Sequence, residues 1–386
     1  PDPSHMKKEQ PVVGASPQDA AQRPAVLVGG MTANEGGKEA FILSAFRLLQ
    51  DRYDFTFLTD RDTIAHAEEL QAGGARIVRV PDRRGHPLAH LRAVTRVVRQ
   101  GRFHAVWLHQ TVVNSLEPLV AARRAGVPVR ILHSHSSANM SGRISGVLHH
   151  LQRPLVGGCA NRRYACSAEA AQWFFGSSPW TFVPNIFDPR PFTFDPVRRQ
   201  RVRAELGLDP RTTAIIHVAR LGPAKNHVFD LGIMSHLRQM GTDAHLLLCG
   251  QGPYAQDLRQ RVEQAGLSRS VSFLGARSDV ADLLQGADVM ILPSTFEGLP
   301  YTALEAQAAG LPLLMSQAVS ASARVGGQVE VLDLARGPQP WAQRITELAG
   351  SVHARGPNAI AGSAFDTATA LARFERLLRC DETAGS

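Results

Sequence analysis

Cysteine is scarce: four residues in 386, at positions 159, 166, 249 and 380, with no CxxC pair and no histidine ligand pattern around them. That excludes a disulfide framework and a zinc ribbon, and leads us to expect buried, reduced thiols in a cytoplasmic protein. Long apolar runs are missing too. No segment reaches the ~18 residues of a membrane span, and no secretory core follows the start. Aromatic residues make up 6%. None is interleaved with the dispersed arginines Arg83, Arg84, Arg92, Arg96 and Arg99, so no nucleic-acid partner is expected. The glycine loops GGMTANEGG and GQGP do not match GxGxxG, which argues against a nicotinamide cofactor. No cluster of His, Cys or Asp shows metal-ligand spacing, and no short-period repeat is present.

What remains is an ordinary globular composition, 44% hydrophobic and 20% charged, in a chain long enough for two domains. PDPSHM reads as a cloning scar. The polar KKEQPVVGASPQDAAQR after it predicts disorder through residue 23. Charge is uneven. Residues 1–205 hold 27 Lys and Arg against 17 Asp and Glu, a balance of +10, and the remainder holds 15 against 17. A basic first half suits an anionic partner such as a membrane surface or a phosphate-bearing acceptor; an arginine-rich composition selected for solubility explains it equally.

From Pro24 onward, short apolar runs alternate with amphipathic segments, the pattern of a parallel α/β sheet. AVLVGG, YDFTFLT, ARIVRV, AVWLHQ, VRILHS and RRYACS read as strands. VPNIFDPRPFTFDP interrupts them, and AIIHVAR, HLLLCG, VSFLG and VMILPS open a second series. The reading is two doubly wound, Rossmann-like domains, 24–190 and 191–365, with ligands in the cleft between them.

Chemistry gathers at the strand ends. VMILPS runs into STFEGLPYTALEAQAAG, where Glu297 and Glu305 flank a Gly298-Leu299-Pro300 turn. Pro300 suits a helix start, whose free N–H groups and positive dipole end seat a phosphate. Helical side chains lean towards the N-terminus, so both carboxylates can approach one ligand and accept from the paired hydroxyls of ribose or a hexose. By itself the spacing is explained better by a solvated loop residue and a helix-start charge. The neighbouring loops change the balance. HVARLGPAKNH places Arg220 and Lys225 at another strand end, where two cations grip a diphosphate and stabilise its departure. CGQGPY offers Gly250 and Gly252 for close approach of a ligand, FLGARSD offers Arg277, and Gly36-Gly37 precede a helix in the first half. A decoy is Asp60-Arg61-Asp62, which mimics a DxD metal motif but reads as two solvated loop carboxylates, since the Arg220/Lys225 cations make a metal unnecessary.

Together, GGKE, VPN, ARLGPAKNH, GQGP, FLGARSD and FEGLPYTALEAQAAGLP resemble family 4 glycosyltransferases of the GT-B fold, and RILHSHSS and YACSAEAAQWFFG look like the capsular and exopolysaccharide branch. The resemblance implies retaining, metal-independent transfer of a hexosyl group from a nucleotide diphosphate sugar, UDP-linked rather than GDP-linked, to a glycan, a lipid-linked glycan or a small molecule. No cofactor is implied. Glu305 would hold the ribose hydroxyls, Glu297 the sugar hydroxyls, and Arg220 and Lys225 the diphosphate, supported by the backbone of Gly298, Leu299 and Pro300. Arg277 would border the base, and Gly36 and Gly37 would meet the diphosphate or acceptor. His133 would sit near the anomeric centre, in preference to His135 and His109. Asn185 is kept from the linker motif, although PNIFD departs from the usual turn there. In this fold the last segment, 366–386, crosses back to the first domain. The enzyme would work in the cytoplasm, peripherally on the inner membrane face. A nucleotide-sugar epimerase on the same fold and a non-catalytic sugar-nucleotide-binding protein are the rival readings.

Overall fold

The computed structural model describes residues 23–34, 36–136, 143–326, 328–349 and 355–380. The expected tag and leader up to residue 22, and the tail beyond 380, lie outside the described residues. Two parallel sheets organise the chain. The first holds β1 (Ala25–Gly29), β2 (Asp54–Thr59), β3 (Arg76–Arg79), β4 (Ala105–Gln110), β5 (Val129–Ser134), β6 (Arg162–Ala165) and β7 (Thr181–Phe182), in the order β3-β2-β1-β4-β5-β6-β7. The second holds β8 (Thr213–Val218), β9 (Ala244–Cys249), β10 (Val271–Gly275), β11 (Val289–Leu292), β12 (Leu313–Ser316) and β13 (Val329–Leu332), in the order β10-β9-β8-β11-β12-β13. Central strands such as β4, β8 and β11 are buried along their whole length, because helices cover both faces.

In each sheet the order reverses between the first strand and its fourth, so the loops leaving those two strands lie side by side at the switch point. In the second sheet these are the loops after β8 and β11. Sequence order alone separates them widely; topology makes them neighbours.

The helix Thr367–Leu378 lies against the first domain. Asp366 caps it by accepting from the Ala368 N–H. Ala370, Phe374, Leu377 and Leu378 are buried beside Phe41 and Phe46 of the helix Gly37–Leu49. Each such aromatic or aliphatic side chain contributes about 1.5–3 kcal/mol by leaving water. Tyr164 donates to the Leu377 carbonyl at 2.9 Å, which ties the returning helix to β6. The edge strands β7 and β13 are absent from the sequence reading. Both are exposed or half-buried along their length and so carry no continuous apolar run. Cys159, Cys166 and Cys249 are buried, and burial pushes the Cys166 and Cys249 thiols up to about 12 and about 11. Cys380 departs from the expectation of burial: it is exposed.

Candidate active site

The loop after β8 carries Arg220 and, through a short turn at Pro223–Lys225, Lys225. Asn226 then adopts a left-handed conformation (φ 59°) and its side chain donates to the Pro293 carbonyl at 3.0 Å. Thr295 N–H donates to the Ala224 carbonyl at 2.9 Å. These two bonds lock the loops after β8 and β11 together. Lys225 Nζ consequently meets Glu297 Oε1, although 72 residues separate them. Glu297 is held further by Ser294 Oγ at 3.3 Å and by its own N–H donating to the Ala318 carbonyl. Arg220 is exposed, and no hydrogen bond or ion pair engages it among the described residues. One paired and one free cation thus border the crevice.

The helix Tyr301–Ala308 starts directly after Pro300, which occupies the cap position (φ −71°, ψ 129°) rather than the first turn itself. Its cap supplies no side-chain acceptor; the Ala303 N–H donates to the Pro300 carbonyl at 3.2 Å, and the Tyr301 and Thr302 N–H groups have no acceptor among the described residues. Leu299 is buried, and its carbonyl accepts from Asn185 Nδ2 at 2.8 Å. Asn185, 4% exposed, is therefore a brace between the linker and the Gly298-Leu299-Pro300 turn. Tyr301 Oη donates to the Ile186 carbonyl, and its ring lies 3.5 Å from where a Gly37 side chain would begin. Gly37 thus packs against the helix start from the opposite domain.

Glu305, one turn into the helix, has no hydrogen-bond or ion-pair partner among the described residues, and burial pushes its carboxyl up to about 7. Burial also pulls Lys225 down to about 8.

Gly250 and Gly252, expected to admit a ligand, closely approach the backbone of the neighbouring loop. A side chain at Gly250 would stand 1.9 Å from the Ala219 carbonyl, and one at Gly252 would stand 2.1 Å from that of Leu221. Both glycines seat the Arg220 loop. Gly252→Ala is therefore expected to displace Arg220 and lower Tm by ~4–8 °C; thermal unfolding and donor titration check it. Arg277 is exposed at the neighbouring strand end, with its guanidinium paired to Asp279 at 2.7 Å.

The histidines also need correction. His133 is 0% exposed, neither ring nitrogen has a partner, and burial drives it down to about 3, so it stays neutral. Its ring packs among Phe41, Trp107 and Tyr164. No part of the ring is open to solvent. His109 is buried beside it, and only His135 of the three is half-buried, its Nε2 2.9 Å from His109 Nδ1.

Contrary to the sequence reading, two groups do have metal-ligand spacing: His109, His133 and His135, and His217, His227 and Asp230, with donor atoms inside 4.8 Å. The register of parallel strands, which pairs His109 with His133, creates the first and is invisible in linear spacing. In the second, His217 Nδ1 bonds Asp230 Oδ2 at 2.7 Å beneath the Lys225 loop. Asp60 and Asp62 of the decoy motif face Arg61 and Arg79.

Sequence reasoning passed over a cavity of about 550 Å³ beside Glu297, lined by Thr295, Phe296, Ser320 and Arg324, with Glu169 entering from the first domain. Ser320 donates to Glu169 at 2.9 Å across the domains. The signal available was SAEA at a strand end, where Ser167 caps the next helix.

Two doubly wound parallel sheets with interspersed helices make the GT-B architecture of glycosyltransferases. The chain belongs to the family 4 glycosyltransferases: the model described as "Glycosyl transferase 4-like domain" matches residues 36–185, and "Glycosyl transferases group 1" matches residues 198–329. It is 32% identical over 340 residues to EpsF of Bacillus subtilis (strain 168), a protein named as a glycosyltransferase; the match covers 84% of this chain and 87% of that one. It is 24% identical over 231 residues to the UDP-Gal:alpha-D-GlcNAc-diphosphoundecaprenol alpha-1,3-galactosyltransferase of Escherichia coli, covering 57% and 59%. Among solved structures, Anabaena HepE in complex with UDP-glucose superposes with a TM-score of 0.75 at 20% identity, covering 92% of this chain and 99% of that one. Among the described residues, no helix is long and apolar enough to cross a membrane.

Proposed function

We propose that this glycosyltransferase moves a hexosyl group, with retention and without a metal, from a UDP-sugar to a hydroxyl of a lipid-diphosphate-linked glycan. The observation that carries the reading is the Lys225–Glu297 contact at the reversal of the second sheet, next to free Arg220 and the open start of the Tyr301 helix. Arg220, Lys225 and the helix start offer positive charge to a leaving diphosphate, the task a divalent cation performs elsewhere. Glu297 offers acceptor oxygens to sugar hydroxyls, and Glu305 to the ribose. The UDP-glucose complex of HepE and the UDP-galactose donor in the name of the Escherichia coli relative support a UDP-linked donor, and that name's diphosphoundecaprenol supports the acceptor class.

Purified enzyme given UDP-sugar and a lipid-diphosphate acceptor in excess chelator is expected to form an α-linked product from an α-linked donor, read by NMR. A β-linked product, strict dependence on added magnesium, or conversion of the sugar with no acceptor present contradicts the reading.

His135 is the histidine assigned to orient the acceptor hydroxyl. His135→Ala is expected to lower kcat ~10²-fold, the lower end for proton-transfer or orienting groups. His133→Phe, which preserves an apolar ring in the aromatic nest, is expected to leave kcat within a few fold. Equal losses in the two variants refute the assignment.

A further inference from the structure

The helix Arg143–Gln152 and the turn Arg153–Leu155 present Ile144, Val147, Leu151 and Leu155 to solvent at 80%, 60%, 66% and 60% exposure. Spacings of three, four and four residues put them on one face. Four large aliphatic side chains in a row exceed the scattered exposure normal for a soluble surface. The opposite face is fixed. His149 accepts from the Val113 N–H at 3.1 Å and stacks on Trp173 at 4.0 Å, so the exposed stripe is not a helix waiting to turn inward. This helix follows the strand end that carries His135.

A second segment adjoins it. The Asn114 carbonyl accepts both from Gln152 of this helix and from Arg83, just before the helix Pro87–Gln100. On that helix Leu88 is 69% exposed, and Arg84, Arg92, Arg96 and Arg99 are exposed around it. Residues 83–100 contain five arginines, residues 143–155 contain two, and neither stretch contains a carboxylate. The nearest carboxylates, Asp82 and Glu117, are engaged by the Gly85 N–H and by Arg83, which leaves Arg84, Arg92, Arg96 and Arg99 in excess. An apolar ridge beside such an arginine-rich segment matches a lipid interface with anionic headgroups, where the aliphatic groups enter the acyl boundary and the guanidinium groups meet phosphates. A protein partner would call for polar hydrogen-bonding groups among the apolar ones.

We propose that the face formed by Ile144, Val147, Leu151 and Leu155, with Arg84 and Arg92 at its rim, seats on an anionic phospholipid bilayer and brings the acceptor side of the cleft to the membrane. It deepens the lipid-linked acceptor reading and rests on it for its purpose, but the binding itself is measurable without transfer.

Full-length protein is incubated with vesicles of phosphatidylcholine alone or mixed with phosphatidylglycerol, and the bound fraction is read by flotation. Binding is expected on the mixed vesicles and not on the neutral ones, with release by high salt. Ile144→Asp with Leu151→Asp, and separately Arg84→Glu with Arg92→Glu, are each expected to weaken partition roughly tenfold or more. UDP affinity and Tm, measured on the same preparations, are expected to stay at the wild-type values, which separates loss of docking from loss of fold. No flotation of the wild type, equal flotation on neutral vesicles, or unchanged partition in both variants overturns the proposal. So does a concentration-dependent dimer in analytical ultracentrifugation that the Ile144/Leu151 variant converts to monomer, since the face would then belong to a second copy. If flotation behaves as expected but the wild type neither binds UDP nor transfers sugar, the donor reading fails and the docking face stands.

Discussion

Lys225→Ala is expected to lower kcat/KM for sugar transfer ~10²–10³-fold, the size of effect seen when one charge-stabilising group is removed from a preorganised site. The side chain is mostly withdrawn from solvent and already charge-paired to Glu297. Its position therefore costs little reorganisation when the diphosphate begins to leave. Removing it does two things at once. The departing phosphates lose a cation, and Glu297 becomes a largely buried carboxylate without its partner. Lys225→Arg is expected to recover part of the loss at most, since a planar guanidinium does not replace a compact ammonium in this tight contact. Steady-state kinetics on the two variants decide the matter. A loss confined to KM would mean that Lys225 only binds the donor, and no loss would remove it from the site.

Glu305→Ala is expected to weaken UDP-sugar binding roughly 10–100-fold, the loss of one or two hydrogen bonds to a charged acceptor. Its pH dependence is the more telling readout. Burial holds Glu305 near 7, well above its value in an unfolded chain. Below pH 7 the folded protein therefore keeps a proton on this group, and the carboxylate proposed to accept from ribose is depleted. Donor affinity is expected to rise as pH increases through 7, and Glu305→Gln is expected to flatten that rise. At the alkaline end Lys225, near 8 in the free protein, loses its charge and weakens diphosphate binding. The free-enzyme profile of kcat/KM should then peak between about 7 and 8. The same shift makes Glu305 a stability cost: its contribution is neutral below the unfolded pKa and increasingly unfavourable as pH rises towards 7. Isothermal titration from pH 6 to pH 8 on wild type and Glu305→Gln tests both directions.

Much of this architecture was legible because parallel sheets announce themselves. Buried strands such as AIIHVA and VMIL are continuous apolar runs closed by glycine, proline or polar loops, and amphipathic helices lie between them. The loops that carry the candidate donor residues were legible for the same reason: FEGLP and ARLGPAKNH follow such strands directly, and doubly wound sheets use strand ends. What the linear chain hides is which loops touch. Lys225 meets Glu297 because the second sheet reverses between β8 and β11, and no spacing rule encodes that. Gly250 and Gly252 looked like ligand contacts because a glycine that admits a ligand and one that admits a neighbouring carbonyl leave the same mark in sequence. His133 and His135 lie two residues apart at one strand end, yet one is sealed among aromatic rings and the other is half-buried. Asn185, expected near an acceptor, turned out to hold the Leu299 carbonyl. Side-chain burial decides each of these cases, and burial is a property of the packed sheet rather than of the motif.

The most direct test of the donor cleft is a crystal of this enzyme with an unhydrolysed UDP-sugar bound. The diphosphate is expected between Arg220 and Lys225 at the start of the Tyr301 helix, the ribose against Glu305 and the hexose against Glu297. A nucleotide bound in any other place, or a ribose whose hydroxyls make no contact with Glu305, would contradict the assignment of this cleft.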